Sequence, residues 1–164
     1  MRAAKTLVAL LPGSIERITR IIHWSSDRYS YEAHFTLFVF LADVEDLGLP
    51  DEITSNVRDL LGAYLVNVSV PTAGAAWMAG HALGDHFENP EAAESLHRLA
   101  LDARFAVGRS SAVTGLSEWL QEHSTHDSRR YRRTLASIAK RDKSARVRAS
   151  ARVGLERIQA KAHK

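Results

Sequence analysis

Displacing the chain by 39 residues lays one set of small and apolar positions on another. Leu96 falls on Leu135, Leu99 on Ile138 and Ala100 on Ala139. Further along, Arg109 meets Arg148, Ser111 meets Ser150, Ala112 meets Ala151, Gly115 meets Gly154, Leu116 meets Leu155 and Trp119 meets Ile158. The matched positions are the ones a shared packing geometry demands. Each unit reads as a helix of about twelve residues, a tight turn near Asp102 or Asp142, and a longer second helix. A shift of 33 finds an earlier copy, with Ala79 and Leu83 on Ala112 and Leu116 and a partner helix at 51–68. One helical pair of this size cannot bury its apolar face alone, so neighbouring pairs must stack.

Breakers and caps divide the chain into nine helical segments. They cover roughly 3–11, 15–24, 29–47, 51–68, 73–87, 91–102, 105–122, 128–141 and 144–161. Pro12-Gly13 stops the first, Gly48 with Pro50 beyond stops the third, and Asn89-Pro90 opens the sixth. Only LVNVSV at 65–70 has β-like composition, and it is too isolated to form a sheet. The expectation is an all-α chain folded as a single domain over 1–164. Within it, 1–50 is a divergent N-terminal part, and 51–89, 90–122 and 128–161 are repeat units.

DKSARVRASARVGL carries a more specific signal in Asp142, Val147, Arg148, Ala151 and Leu155. The preceding unit has Asp102, Val107, Arg109, Ala112 and Leu116, with one residue more between Asp and Arg. This order resembles the HEAT repeat family, including the short HEAT-like repeats of bilin-lyase-type proteins. MAGHALGD at 78–85 is similar to a second helix of such a unit but lacks the arginine, and the proline common in the family's first helix is absent from 94–101 and 133–140. The resemblance implies an α-α superhelix, a right-handed solenoid of antiparallel helix pairs with an extended concave surface. It also implies a structural role for Asp102, Arg109, Asp142 and Arg148, each arginine pairing with a turn aspartate.

On a helical wheel Val147, Ala151, Gly154, Leu155 and Ile158 fall within about 100° of arc. Arg148 and Arg152 flank this seam on one side, Arg146 and Arg157 on the other. The last helix is therefore first a packing element.

Charge is uneven along the chain. Residues 128–164 hold 13 Lys+Arg and 2 Asp+Glu, a balance of +11, whereas residues 1–127 hold 9 and 17, a balance of −8. A basic end on an acidic body attracts phosphate or an acidic protein surface. There are no cysteines, which excludes disulfides and thiolate metal sites and fits a reducing compartment. The most apolar stretch, FTLFVFLA at 35–42, is too short to span a bilayer, and the N-terminus lacks the pattern of a secretory signal. A cytoplasmic protein with no membrane partner is expected.

Candidate sites are few. In RRYRR, Arg129, Arg130, Arg132 and Arg133 flank Tyr131, a combination suited to phosphates plus a stacking surface. Arginines at a helix start oppose the macrodipole, a local cost that adds weight to an exposed binding role; the rival reading is pairing with the acidic body of the same or a neighbouring molecule. Arg152 joins this basic set. His81 and Asp85, four residues apart, share a helix face, with His123 or His126 as a third metal ligand; lining helix ends is the simpler reading, and no metal or cofactor is expected. The HEAT-like di-iron hydroxylases use His-Glu dipeptides, and this chain has none. Trp24, Trp77 and Trp119 invite comparison with the HEAT-like alkylpurine DNA glycosylases, which use aromatic and acidic residues on a concave basic surface. Trp119 coincides with Ile158 and Trp77 lies in an apolar helix, so core packing is expected instead. Gly80, Gly84, Gly108, Gly115 and Gly154 fit close helix packing, not phosphate approach, and no catalytic motif is present.

The sequence thus predicts a non-catalytic scaffold that binds another protein through its concave or charged surface, the basic terminal unit meeting an acidic partner or the acidic body a basic one. The alternative is a nucleic-acid-binding protein, glycosylase-like, that uses the basic C-terminal unit.

Overall fold

The computed structural model describes residues 50–68, 73–123 and 128–162. The helices expected at 3–11, 15–24 and 29–47, Trp24, and His126 lie outside the described residues. Six α-helices account for nearly all the rest: α1 (Asp51–Asn67), α2 (Ala73–His81), α3 (Pro90–Asp102), α4 (Ala106–Glu122), α5 (Ser128–Arg141) and α6 (Ala145–Ala162). A π-helical turn, Ala82–His86, continues α2. No strand occurs among the described residues, and the β-like Leu65, Val66 and Asn67 finish α1.

Local chemistry sets the boundaries. Asn89 caps α3 by accepting from the Ala92 N–H at 3.0 Å, with Pro90 at the first helical position, where its missing N–H costs nothing. Asp142 accepts from the Ser144 N–H at 2.7 Å and so shapes the turn into α6. Both α3 and α5 are amphipathic, with Leu96, Leu99 and Ala100 buried in one and Tyr131, Leu135 and Ile138 in the other.

The helices pack in two rows. α1 touches α3 and α3 touches α5, while α2 with its π turn packs on α4, and α4 on α6. Within each pair, α1 lies on α2, α3 on α4 and α5 on α6. α4 is the centre. Val107, Ala112, Val113, Leu116, Trp119 and Leu120 are all buried on it, together with Arg109 and three serines.

Glycines make the second row tight. A Cβ on Gly115 would lie 2.1 Å from the Gly80 carbonyl oxygen, and one on Gly84 would lie 2.1 Å from the Gly115 carbonyl oxygen. Gly154, one repeat after Gly115, would strike Ser117 Oγ at 2.0 Å. At each step a glycine on the later helix lets it meet the backbone or a short side chain of the earlier one. Close packing is thus the role of these glycines.

The 39-residue register is visible in hydrogen bonds as well. Arg109 donates from one terminal nitrogen to the Ala103 carbonyl at 3.0 Å, and Arg148 donates to the Asp142 carbonyl at 2.6 Å. Both partners in the second contact are displaced by one repeat from the first.

Candidate functional site

The arginines of RRYRR divide into two groups. Arg130 is paired with Glu94 on α3 and stands over the Tyr131 ring, 4.9 Å from its centroid. Tyr131 is buried, contrary to its expected role as an exposed stacking surface. Its hydroxyl donates to Glu94 Oε2 at 3.1 Å, and its ring meets Trp119 edge-on at 6.3 Å. Tyr131 stands on the buried face of α5 with Leu135 and Ile138. Burial raises the Tyr131 phenol, with the Glu94 carboxylate reinforcing it against the opposing effect of Arg130. Burial also works to raise the Glu94 carboxyl, but the hydrogen bonds from Tyr131 and Arg130 outweigh it and leave that group below its ordinary range.

Arg129, Arg132 and Arg133 are exposed and line a shallow cleft with Ser128 and Ala136. Arg152 is exposed on α6. Neither Tyr131 nor Arg152 is among the residues that line this cleft.

Arg109 behaves as a structural residue. Its guanidinium is buried and donates through Nε to Asp142 Oδ2 at 2.8 Å and through a terminal nitrogen to Oδ1 at 3.2 Å. Asp102, expected to act in the same way, stands exposed at the last turn of α3. The residue one repeat before Asp142 is Ala103, so the aspartate is one position out of register. Arg148 correspondingly reaches the Asp142 main chain, not a carboxylate of its own turn.

A second groove was not foreseen. It runs along α2, α4 and α6 and is lined by Trp77, Thr114, Ser117, Arg146, Ser150, Val153 and Arg157, among others. Trp77 is 45% exposed, and so is Val153. The expectation that Trp77 belongs to the core is therefore corrected. α2 is built from small and apolar residues on every side, AGAAWMAGH, so no periodicity marks which face looks outward. Ala76, Met78, Ala79 and Gly80 do the packing, and the Trp77 ring is left at the groove.

Next to Trp77 lies a cluster of titratable groups. His81 stacks on the Trp77 ring at 5.3 Å with planes 6° apart. Its Nδ1 is 3.0 Å from Glu118 Oε2 on α4, and its Nε2 is 3.9 Å from Asp85 Oδ2. His86 Nε2 lies 3.8 Å from the same carboxylate oxygen. The hydrogen bond to Glu118 raises the His81 pKa; burial opposes this, and the Glu118 and Asp85 charges add to it. His123, one of the two candidate third ligands, is engaged elsewhere: its Nδ1 is 3.0 Å from the Trp119 carbonyl and its ring stacks on Trp119. Glu118 was missed from the sequence, because its contact with His81 spans 37 residues and depends on the glycine-mediated approach of α2 to α4.

Compared with protein-family models, with curated proteins and with solved structures, the chain matches none. Among the described residues no helix is long and apolar enough to cross a membrane.

Proposed function

We propose that this chain is a HEAT-like repeat scaffold that binds an acidic segment of another protein along the groove of α2, α4 and α6. The carrying observation is the groove itself, where exposed Trp77 and Val153 lie in one concavity with Arg146 and Arg157. An apolar anchor beside cations is the composition of an interface hot spot for a carboxylate-bearing partner. A right-handed solenoid fits the stacking of successive second helices and the repeated arginine contact at the turns.

Nucleic-acid binding is the second reading, favoured by the exposed Arg129, Arg132 and Arg133 around one cleft. It is weakened by the burial of Tyr131 and the pairing of Arg130 with Glu94, which withdraw the motif's own aromatic ring from the cleft.

Capture from native lysate separates the two. The wild-type chain is compared with a groove variant, Trp77→Ala/Arg146→Glu/Arg157→Glu, and a cleft variant, Arg129→Glu/Arg132→Glu/Arg133→Glu. A specific protein bound by the wild type and the cleft variant but lost from the groove variant is the expected result. Capture undiminished by the groove changes overturns the assignment. Nuclease-sensitive material lost only from the cleft variant, with affinity falling steeply in salt, establishes the second reading instead.

A further inference from the structure

We propose that His81, Asp85 and His86 form a binding site for a divalent first-row transition ion, with Glu118 as the residue that orients His81. Three ligand atoms, one from each residue, lie within 4.8 Å of one another. The Asp85 carboxylate oxygen is central, 3.9 Å from His81 Nε2 and 3.8 Å from His86 Nε2. Atoms so spaced share a point about 2.5 Å from each, so a shift of a few tenths of an ångström reaches zinc–nitrogen bonds of about 2.0–2.1 Å.

The backbone supplies an independent argument. In an α-helix, residues five apart point about 140° away from each other, so His81 and His86 would face different directions. Across the π turn Ala82–His86, with about 4.4 residues per turn, residues four and five apart both return to within about 50° of the first. The wide turn is what brings His86 to the face that His81 and Asp85 already share. Such single π turns within helices recur at functional sites.

The surroundings of His81 match what a metal-bound imidazole needs. His81 Nδ1 faces Glu118 Oε2 at 3.0 Å, so the carboxylate would hold the Nδ1–H of a metal-bound imidazole while Nε2 faces Asp85. A carboxylate behind the histidine is the usual outer partner of such ligands and raises their basicity. Trp77 stacks flat on the other side and holds the ring's orientation. Asp85 is exposed and both histidines are partly so, leaving the fourth position open to water or to an external ligand. Two imidazoles and one carboxylate, with no sulfur in the chain's donor set at this site, select a borderline ion such as zinc or cobalt over calcium or magnesium. The site stands independently of what the groove binds.

Titration of the metal-free full chain with zinc, followed calorimetrically, and with cobalt, followed by its visible absorption, tests the assignment. The expected result is one equivalent of ion, with four- or five-coordinate cobalt bands. That component disappears in His86→Ala and Asp85→Asn and survives in His123→Gln. Glu118→Gln keeps the stoichiometry and weakens affinity about 10–100-fold, as loss of an outer partner does. His86 is only partly buried, so its replacement preserves the fold, which circular dichroism verifies. Unchanged binding in His86→Ala or Asp85→Asn, or no saturable equivalent in the wild type, overturns the proposal. Neither outcome bears on the groove, because no partner enters the measurement.

Discussion

Arg109 on α4 and Asp142 at the entrance to α6 are joined at two points, by bonds of 2.8 and 3.2 Å, across the boundary between successive helix pairs. The two side chains are 5% and 11% exposed, so the ion pair is largely withdrawn from water. Each charge is satisfied further: Arg109 donates to the Ala103 carbonyl, and Asp142 accepts from the Ser144 N–H. One carboxylate therefore caps its own turn and clamps the preceding unit at once.

Removing one partner of a buried pair leaves the other charge uncompensated, at a cost of about 3–5 kcal/mol. Asp142→Asn is expected to destabilise by that amount in denaturant unfolding. Arg109→Met/Asp142→Leu should recover much of the loss, since an apolar pair of similar volume carries no desolvation penalty. Equal stability of Asp142→Asn and wild type would show that the pair contributes nothing. Acid gives a second check. Burial works to raise the Asp142 carboxyl, but the Arg109 hydrogen bond, the Ser144 N–H and the Arg109 charge outweigh it and hold it below its ordinary value. The stabilisation is thus complete above an ordinary aspartate value of about 3.9. It is lost as pH falls through the lower, folded value, and Asp142→Asn should flatten that limb of the stability profile.

Gly115→Ala and Gly62→Ala should move stability in opposite directions. A methyl group at Gly115 meets the Gly80 carbonyl oxygen at 2.1 Å, and backbone cannot step aside. A loss of about 1–3 kcal/mol or more is expected from overpacking. At Gly62 the nearest atom is Ser95 Oγ at 3.2 Å, the rotatable end of a partly buried side chain. The helix-propensity gain of alanine over glycine, up to about 1 kcal/mol, should then prevail. Thermal unfolding of the two variants decides; a stable Gly115→Ala protein would refute the close approach of α2 and α4.

Trp119 is expected to tolerate phenylalanine but not alanine. Its ring is buried between His123 and Tyr131, and its Nε1 has no acceptor among the described residues. Trp119→Ala leaves a cavity and costs about 3–5 kcal/mol. Trp119→Phe removes less volume and also removes a buried donor that gains nothing, so its cost should stay within about 1–2 kcal/mol. Equal midpoints for the two variants in denaturant would contradict this.

The sequence exposed those features that a period can carry. Leu96, Leu99, Ala112, Leu116 and Trp119 recur at their repeat positions because a stacked hairpin needs the same volume there, and all are buried. The pairing of a repeat arginine with a turn aspartate followed from the same register, although the aspartate that Arg109 selects belongs to the next unit. Arrangements that depend on departures from the period were not legible. The π turn adds no residue type of its own, and the small-residue composition of α2 hides which face carries Trp77. Tyr131 looked like a binding residue because arginines surround it in sequence; α5 instead turns it inward while they stay outside.

His97 should make the protein less stable as pH falls below about 6.5, the ordinary histidine value. Its ring lies between α3 and α5, with Nε2 2.9 Å from Thr134 Oγ1 and the ring tilted against Tyr131 at 5.1 Å. Burial lowers its pKa; the Glu94 carboxylate opposes this, the Arg130 charge assists it, and Asp102 opposes it weakly. Because the folded value lies under the unfolded one, the unfolded chain takes up the proton first on acidification. The contribution of His97 is therefore intact above about 6.5 and is lost as pH falls through its folded value. His81 acts in the opposite direction through Glu118, so the quantity to measure is the difference between wild type and His97→Gln, in which His81 cancels. Glutamine places an amide near the Nε2 position and can keep the bond to Thr134. Unfolding midpoints across this range should fall more steeply for the wild type than for His97→Gln. Parallel profiles would mean that the half-buried imidazole titrates as it does in the unfolded chain.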